Sequence, residues 1–226
     1  MFPYYLIRAS AHCPASYTYI GSHKISSTMS SGEALFEILR KSLHLVSILI
    51  VLIYEFFGKG AILWILMVFL VTVLVLDYFR LEHGMKIPIF HTMYREKEDN
   101  RLGGHIYFAL GAVAVICLFS REIAYAAILM TTIGDLGAAL IGKFYGKRRI
   151  FYEIFNNDKS LEGSTSEFIL DILIGLLIIG NPVVSFVMAF FATLSETAVS
   201  RIDDNLVVPI FSGFFGQISL ILLGYL

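Results

Sequence analysis

The stretch IAYAAILMTTIGDLGAALI, residues 123–141, carries a single charge, Asp135, and runs into Lys143, Lys147, Arg148 and Arg149. As a helix it extends about 28 Å at about 1.5 Å per residue, close to a hydrocarbon core about 30 Å thick. An apolar run closed by a basic cluster reads as a membrane span with that end in the cytoplasm. Similar blocks lie on both sides, at 42–57, 60–79, 102–119, 165–180, 182–199 and 205–226. The chain of 226 residues is 57% hydrophobic and 15% charged, against about 45–50% and about 25% in soluble domains. The predicted fold class is all-α, a polytopic transmembrane helix bundle of about seven spans.

Placing the N-terminus in the cytoplasm puts 15 of the 17 Lys and Arg on the inside, leaving Lys59 and Arg121 in short outer turns. That bias sets the orientation. Residues 33–226 read as a single transmembrane domain, entered through a short amphipathic helix, Glu33–Lys41. Residues 1–32 read as a tail predicted to be disordered. For 1–28 an upstream translation start, with Met29 as initiator, is an open alternative. No apolar h-region with a cleavage site follows a basic start, so a signal peptide is not expected. Cys13 and Cys117 form neither a disulfide framework nor a metal spacing.

Ionisable groups inside a bilayer are costly and mark function by default. Asp135 in span four, Asp171 in span five and Glu196 in span six fall in the cytoplasmic half, as do Asp77, His44 and His105. The first three lie roughly 5–9 Å below the inner surface at 1.5 Å per residue. Glu55 sits at the other end, and it and Asp77 read as snorkelling or paired residues. Polar groups confined to one leaflet suit an enzyme acting on a lipid. The non-enzyme alternative, a small proton-coupled transporter, would need a path through the apolar outer halves. It is also commonly built from inverted repeats, and none is seen here.

Three loops carry the remaining signal. Asp135, Ala138, Ala139, Gly142 and Gly146 share a small-residue stripe. It reads either as close helix packing or as a flat surface for a nucleotide or metal, with Lys143 and Arg148 placed to meet phosphates. In Lys159-Ser160-Leu161-Glu162-Gly163-Ser164, Ser164 and Glu167 have capping-box spacing. The helix start predicted there is an anion site with Lys159 beside it. Asp203-Asp204-Asn205 offers hard oxygen ligands for Mg²⁺, or a solvated turn with Asn205 capping the last helix. No phosphate-binding G-x-G-x-x-G or G-x-x-x-x-G-K-[ST] loop is present.

Together these pieces resemble the CTP-dependent lipid kinase family: dolichol and polyprenol kinases, phytol kinases and CTP-dependent diacylglycerol kinases. They stand as Arg40-Lys41-x-x-His44, Arg95-Glu96-Lys97-Glu98, Gly104-x-x-Tyr107-Phe108-x-x-Gly111, Gly134-Asp135 with Gly142 and Gly146, Lys159-Ser-x-Glu162-Gly163-Ser164, and Glu196 with Asp203-Asp204-Asn205-x-x-x-Pro209. Related phosphatidate cytidylyltransferases carry a Pro-Gly-His-Gly-Gly run before a D-R-x-D element, and neither occurs here.

The resemblance implies transfer of the γ-phosphate of CTP to a lipid hydroxyl with Mg²⁺ or another divalent metal. A polyprenol or dolichol acceptor is expected first, with diacylglycerol kinase or cytidylyltransferase chemistry as alternatives. It implies that Lys159, Glu162, Gly163, Ser164, Gly142, Lys143 and Arg148 bind the nucleotide. Asp135 with Asp203 or Asp204 would hold the metal, and Glu196 or Asp171 would take the hydroxyl proton. Arg40, Lys41 and His44 would contact lipid or phosphate. The expected partners are CTP, a long-chain lipid alcohol and membrane lipid, not nucleic acid. The site would face the cytoplasm from a cell membrane or endoplasmic reticulum.

Overall fold

The computed structural model describes residues 45–83, 101–146, 159–198 and 202–224, all helical apart from short connections. Helix α1 is Ile48–His83, led in by a short turn, Leu45–Ser47. Helix α2 is Gly104–Leu118, and α3 is Arg121–Leu129. A π-helical turn, Met130–Gly134, joins α3 to α4, Asp135–Tyr145. Then come α5, Leu161–Ile178, α6, Pro182–Ala198, and α7, Asp204–Leu222. Leu45–His83, Arg121–Tyr145 and α7 are long and apolar enough to cross a membrane, and α2 and α6 are shorter apolar helices. Helix α5 is of similar length, yet carries Glu162, Glu167 and Asp171 within its 18 residues.

Several boundaries differ from expectation. The spans predicted at 42–57 and 60–79 form one assigned helix, with Gly58 non-helical at φ 82° and ψ 172°. A straight 36-residue helix would reach about 54 Å at 1.5 Å per residue. Gly58 breaks it where the turn at 58–59 was expected, in a conformation open to glycine and rare for other residues. Helix α5 begins one turn earlier than the predicted 165, because Ser160 is its cap: the Ser160 hydroxyl accepts from the Gly163 N–H at 3.1 Å. Ser164 is buried inside the helix, which removes the capping-box reading of Ser164 and Glu167. The last helix is capped by Asp203, not Asn205, through the Asn205 N–H at 3.1 Å. Asn181 caps α6, accepting from the Val183 and Val184 N–H groups at 3.0 and 3.2 Å, with Pro182 at the first helical position.

Helix α7 packs on α6, α2 and α3, while α5 packs between α4 and α6. The centre is apolar: Ile62, Ile116, Ile123, Met130, Val184 and Met188 are at most 1% exposed. Polar contacts gather at the two ends. At one end Lys59 Nζ donates to the Cys117 carbonyl at 3.3 Å. Glu55 there accepts from the Tyr125 hydroxyl at 3.0 Å and pairs with Arg121 at 3.3 Å. The Ser120 N–H donates to Gln217 at 2.8 Å at the same end. At the other end Asp77 accepts from Arg80 Nε and from the Gly103 N–H, both at 2.8 Å. The pairing expected for Glu55 and Asp77 is thus observed, and Asp77 ties α1 to the start of α2.

Candidate active site

A second set of polar contacts joins α5, α6 and α7. Lys159 precedes α5, and its ammonium donates to Glu196 Oε1 near the end of α6. The same ammonium lies 3.5 Å from Asp204 Oδ2 in the first turn of α7. Side-chain exposure is 25% for Lys159, 4% for Glu196 and 26% for Asp204. Burial opposes the lysine charge, but Glu196, Asp204 and Asp135 together outweigh it and raise the Lys159 pKa above its ordinary value. Lys159 is a cation paired with acids from α6 and α7, with the charge of Asp135 on α4 acting on it as well.

Behind this pair lies a buried row of carboxyls on α5. Asp171 is wholly buried, and neither of its oxygens has a hydrogen-bond partner among the described residues. It feels the charges of Glu196 and Asp135. Glu167, one turn before it, is 2% exposed and feels the charge of Glu196. Glu167 Oε2 and Glu196 Oε2 have no partner among the described residues. Uncompensated buried polar groups are expensive, which sets this cluster of carboxyls apart from the apolar centre.

Two features of α3–α4 make room for it. The π turn at Met130–Gly134 inserts an extra residue just ahead of Asp135; such turns re-aim side chains and recur at functional sites. Gly134 lies against the α5 acids, and any Cβ there would run into Asp171 Oδ1. Two turns further, a Cβ on Gly142 would lie 2.9 Å from Ser160 Oγ, and one on Gly163 would lie 2.8 Å from the Ala138 carbonyl. The packing reading of the small-residue stripe is therefore realised between α4 and the capped start of α5. Lys143, in the last turn of α4, has a buried Nζ without a hydrogen-bond partner among the described residues.

The structure thus brings together Asp135, Lys159, Asp171, Glu196 and Asp204, drawn from segments far apart in sequence. Glu162 and Gly163 form the first turn of α5. Ser164 faces α6, with its Oγ 3.4 Å from Thr197 Oγ1. Asp203 Oδ1 accepts from the Asn205 N–H and side-chain amide at 3.1 and 2.8 Å, and Asp204 Oδ1 accepts from the same N–H at 3.1 Å while its Oδ2 faces Lys159. Arg40, Lys41, His44 and Arg148 lie outside the described residues, as does the tail. Glu167 was missed by sequence reasoning because the capping box accounted for it. Its i, i+4 spacing to Asp171 on an apolar helix is the signal that reveals it.

Among the described residues no three His, Cys, Asp or Glu side chains converge as a ready metal site. Mg²⁺ is normally held by one or two carboxylates and completed by substrate phosphates. Asp204, 3.5 Å from the Lys159 ammonium, and Asp135, whose charge also acts on it, have the donor chemistry such an ion takes.

The chain is 30% identical over 192 residues to the uncharacterized protein RP860 of Rickettsia prowazekii, covering 77% of this chain and 90% of that protein. It is 26% identical over 184 residues to CTP-dependent diacylglycerol kinase 1 of Eremothecium gossypii, covering 66% of this chain and 56% of the kinase. It is 27% identical over 150 residues to the protein of the same name from Schizosaccharomyces pombe, covering 55% and 67%. The chain spans little more than half the length of the Eremothecium kinase. No family model matches the chain, and no solved structure matches it.

Proposed function

We propose that this chain, which belongs to the same family as the Rickettsia protein RP860, is a CTP-dependent lipid kinase whose acceptor is diacylglycerol. The observation that carries the proposal is the convergence of Lys159, Glu196, Asp204 and Asp135 at one end of the bundle, against buried carboxyls without partners. The donor and acceptor follow relatives named CTP-dependent diacylglycerol kinases. They favour diacylglycerol over the polyprenol or dolichol that was expected first.

Phosphoryl transfer needs positioning and charge stabilisation more than covalent chemistry by the protein. Lys159, at the positive end of the α5 dipole, is the cation for the triphosphate. On binding, its ammonium exchanges Glu196 and Asp204 for phosphate oxygens. Lys143, with its unpartnered Nζ, supplies a second cation. Asp204, once released, and Asp135 would hold a divalent cation, which would supply charge to neutralise the triphosphate. Glu196, released from Lys159, takes the proton of the acceptor hydroxyl, and Asp171 lies behind it. The hydroxyl oxygen bonds to the γ-phosphorus, the bond from that phosphorus to the β–γ bridging oxygen breaks, and CDP leaves with phosphatidate as product.

The same reading places the Gly58 break in an outer turn. It takes the chain as a seven-span protein with a cytoplasmic N-terminus, so that the site opens to cytoplasmic CTP. Residues 33–226 are then one catalytic domain.

The test offers purified protein γ-labelled CTP and Mg²⁺ with diacylglycerol, polyprenol or dolichol in separate mixed micelles. Labelled phosphatidate is expected. Label on polyprenol or dolichol alone would overturn the choice of acceptor. Asp135→Asn is expected to lower turnover by about 10²-fold or more, the scale for losing a group that stabilises transition-state charge.

A further inference from the structure

We infer that Pro209 of α7 and Gly111 of α2 are positioning residues for Asp204, together fixing the first turn of α7 so that its carboxylate meets Lys159; this rests on the kinase reading above. Pro209 stands inside α7, five residues after Asp204. Proline has no N–H, so it gives no helical hydrogen bond to the carbonyl four residues back, and its ring pushes that carbonyl aside. Here the carbonyl is that of Asn205, the neighbour of Asp204. It lies against α2: a Cβ on Gly111 would stand 2.8 Å from the Asn205 oxygen, 3.0 Å from Pro209 Cγ and 3.5 Å from Leu206 Cα. Gly111, Asn205 and Pro209 are all buried. Only a hydrogen fits at that place, so α2 and the first turn of α7 are set in one register.

The rest of the turn is fastened to the same residue. The Asn205 N–H donates to Asp203 Oδ1 and to Asp204 Oδ1, both at 3.1 Å, and its side-chain amide donates to Asp203 Oδ1 at 2.8 Å. Asn205 therefore links the displaced carbonyl on one side to both carboxylates on the other. Asp204 Oδ2 faces Lys159, 3.5 Å from its ammonium, and a shift of Asn205 carries Asp204 with it. Proline is the least favourable residue in a helix interior, and Gly111 faces backbone as well as a ring. Further along α7, Gly213 and Gly216 meet the side chains of Phe119 and Met188 instead.

Steady-state kinetics with CTP and diacylglycerol, run beside thermal unfolding in detergent, test the lock. Pro209→Ala restores an N–H for the Asn205 carbonyl and removes the ring, so the thermal transition is expected to hold or rise. The value of kcat/KM for CTP is nevertheless expected to fall about tenfold or more, since a misplacement of about 1 Å can cost about 10²-fold. Gly111→Ala forces the two helices apart and is expected to lose at least as much. Gly213→Ala is the control, because its methyl group meets Phe119 in the other half of the same helix. It is expected to lower the thermal transition and to leave kcat/KM within about threefold of the original. Effects that run through one shared group do not add, so in an Asp204→Asn background Pro209→Ala is expected to cost no more than about twofold further.

Pro209→Ala and Gly111→Ala variants that keep full activity would overturn the inference. So would a loss that Gly213→Ala matches, a loss that Pro209→Ala repeats in full in the Asp204→Asn background, or a Pro209→Ala variant whose thermal transition falls along with its activity. Should Gly111→Ala fail to fold, Pro209→Ala decides alone: a tenfold loss at an unlowered thermal transition supports positioning, and full activity contradicts it. Asp204→Asn by itself separates this inference from the reading beneath it. Full turnover in that variant removes Asp204 from the site, and the inference with it. An impaired Asp204→Asn beside fully active Pro209→Ala and Gly111→Ala removes the inference alone. A parent chain that transfers no phosphate removes both.

Discussion

Substituting Lys159 with Met removes a cation from between two carboxylates, and the structure sets how much that costs. Its principal partner, Glu196, has a side chain 4% exposed, and the lysine side chain is 25% exposed. Removing one member of a buried ion pair costs about 3–5 kcal/mol because the other charge is left uncompensated. The partial exposure of the ammonium lowers that to about 2–3 kcal/mol through solvent screening. Turnover is expected to fall by about 10²–10³-fold, the effect of losing one group aimed at developing charge.

The two losses separate in a double variant. Adding Glu196→Gln to Lys159→Met removes the orphaned charge and recovers most of the stability, while activity stays lost. Denaturant or thermal unfolding in detergent, alongside CTP kinetics, measures both, and a coupling of about 1 kcal/mol or more is expected for groups in contact. Stability effects that add to within about 0.5 kcal/mol, together with an unchanged KM for CTP in Lys159→Met, would refute the proposed double role of the lysine.

Gly134→Ala drives a methyl group into the Asp171 carboxyl, at a cost of about 1–3 kcal/mol of overpacking; a sharp fall in turnover is expected, and a fully active variant would show that the acids are not part of the site. Asp77→Ala leaves Arg80 and the Gly103 N–H without their acceptor and is expected to destabilise the fold by about 3 kcal/mol, with KM for CTP unchanged in the folded fraction. The raised pKa of Lys159 has a definite sign: the stability it confers is fully present below about pH 10.4, the unfolded lysine value, and is lost as pH rises through the higher folded value. The stability difference between the original chain and Lys159→Met should therefore stay constant from about pH 7 to 10, and a difference that shrinks across that window would contradict the ion pair.

Helical architecture and the polar end of the bundle were legible because both are written in composition and position. Apolar blocks gave the helices, and acids near one end of several blocks gave the cluster. Asp135, Asp171 and Glu196 were each visible as charges in apolar surroundings, and Lys159 as a cation at a helix start. Local alternatives were less legible. Ser160 and Ser164 both precede an acid and both suit a cap, and the choice depends on Gly163 and Gly142 letting α5 approach α4. The π turn before Asp135 has no sequence signature of its own, because it accommodates tertiary packing. Glu167 satisfied a local rule and so concealed its place in the buried row of acids. Asp203 and Asp204 both accept from the Asn205 N–H, and that Asp204 also reaches Lys159 is a distinction that needs the backbone path.

The central claim, that the Lys159 and carboxylate end of the bundle moves the terminal phosphate of CTP onto a lipid alcohol, is met most directly by comparing CTP labelled at the γ position with CTP labelled at the α position. Purified protein receives each with Mg²⁺ and diacylglycerol, or with phosphatidate. The account predicts γ-label recovered in phosphatidate made from diacylglycerol, and no α-label in any lipid. Recovery of α-label in a lipid product of phosphatidate would mean nucleotidyl transfer and would contradict it.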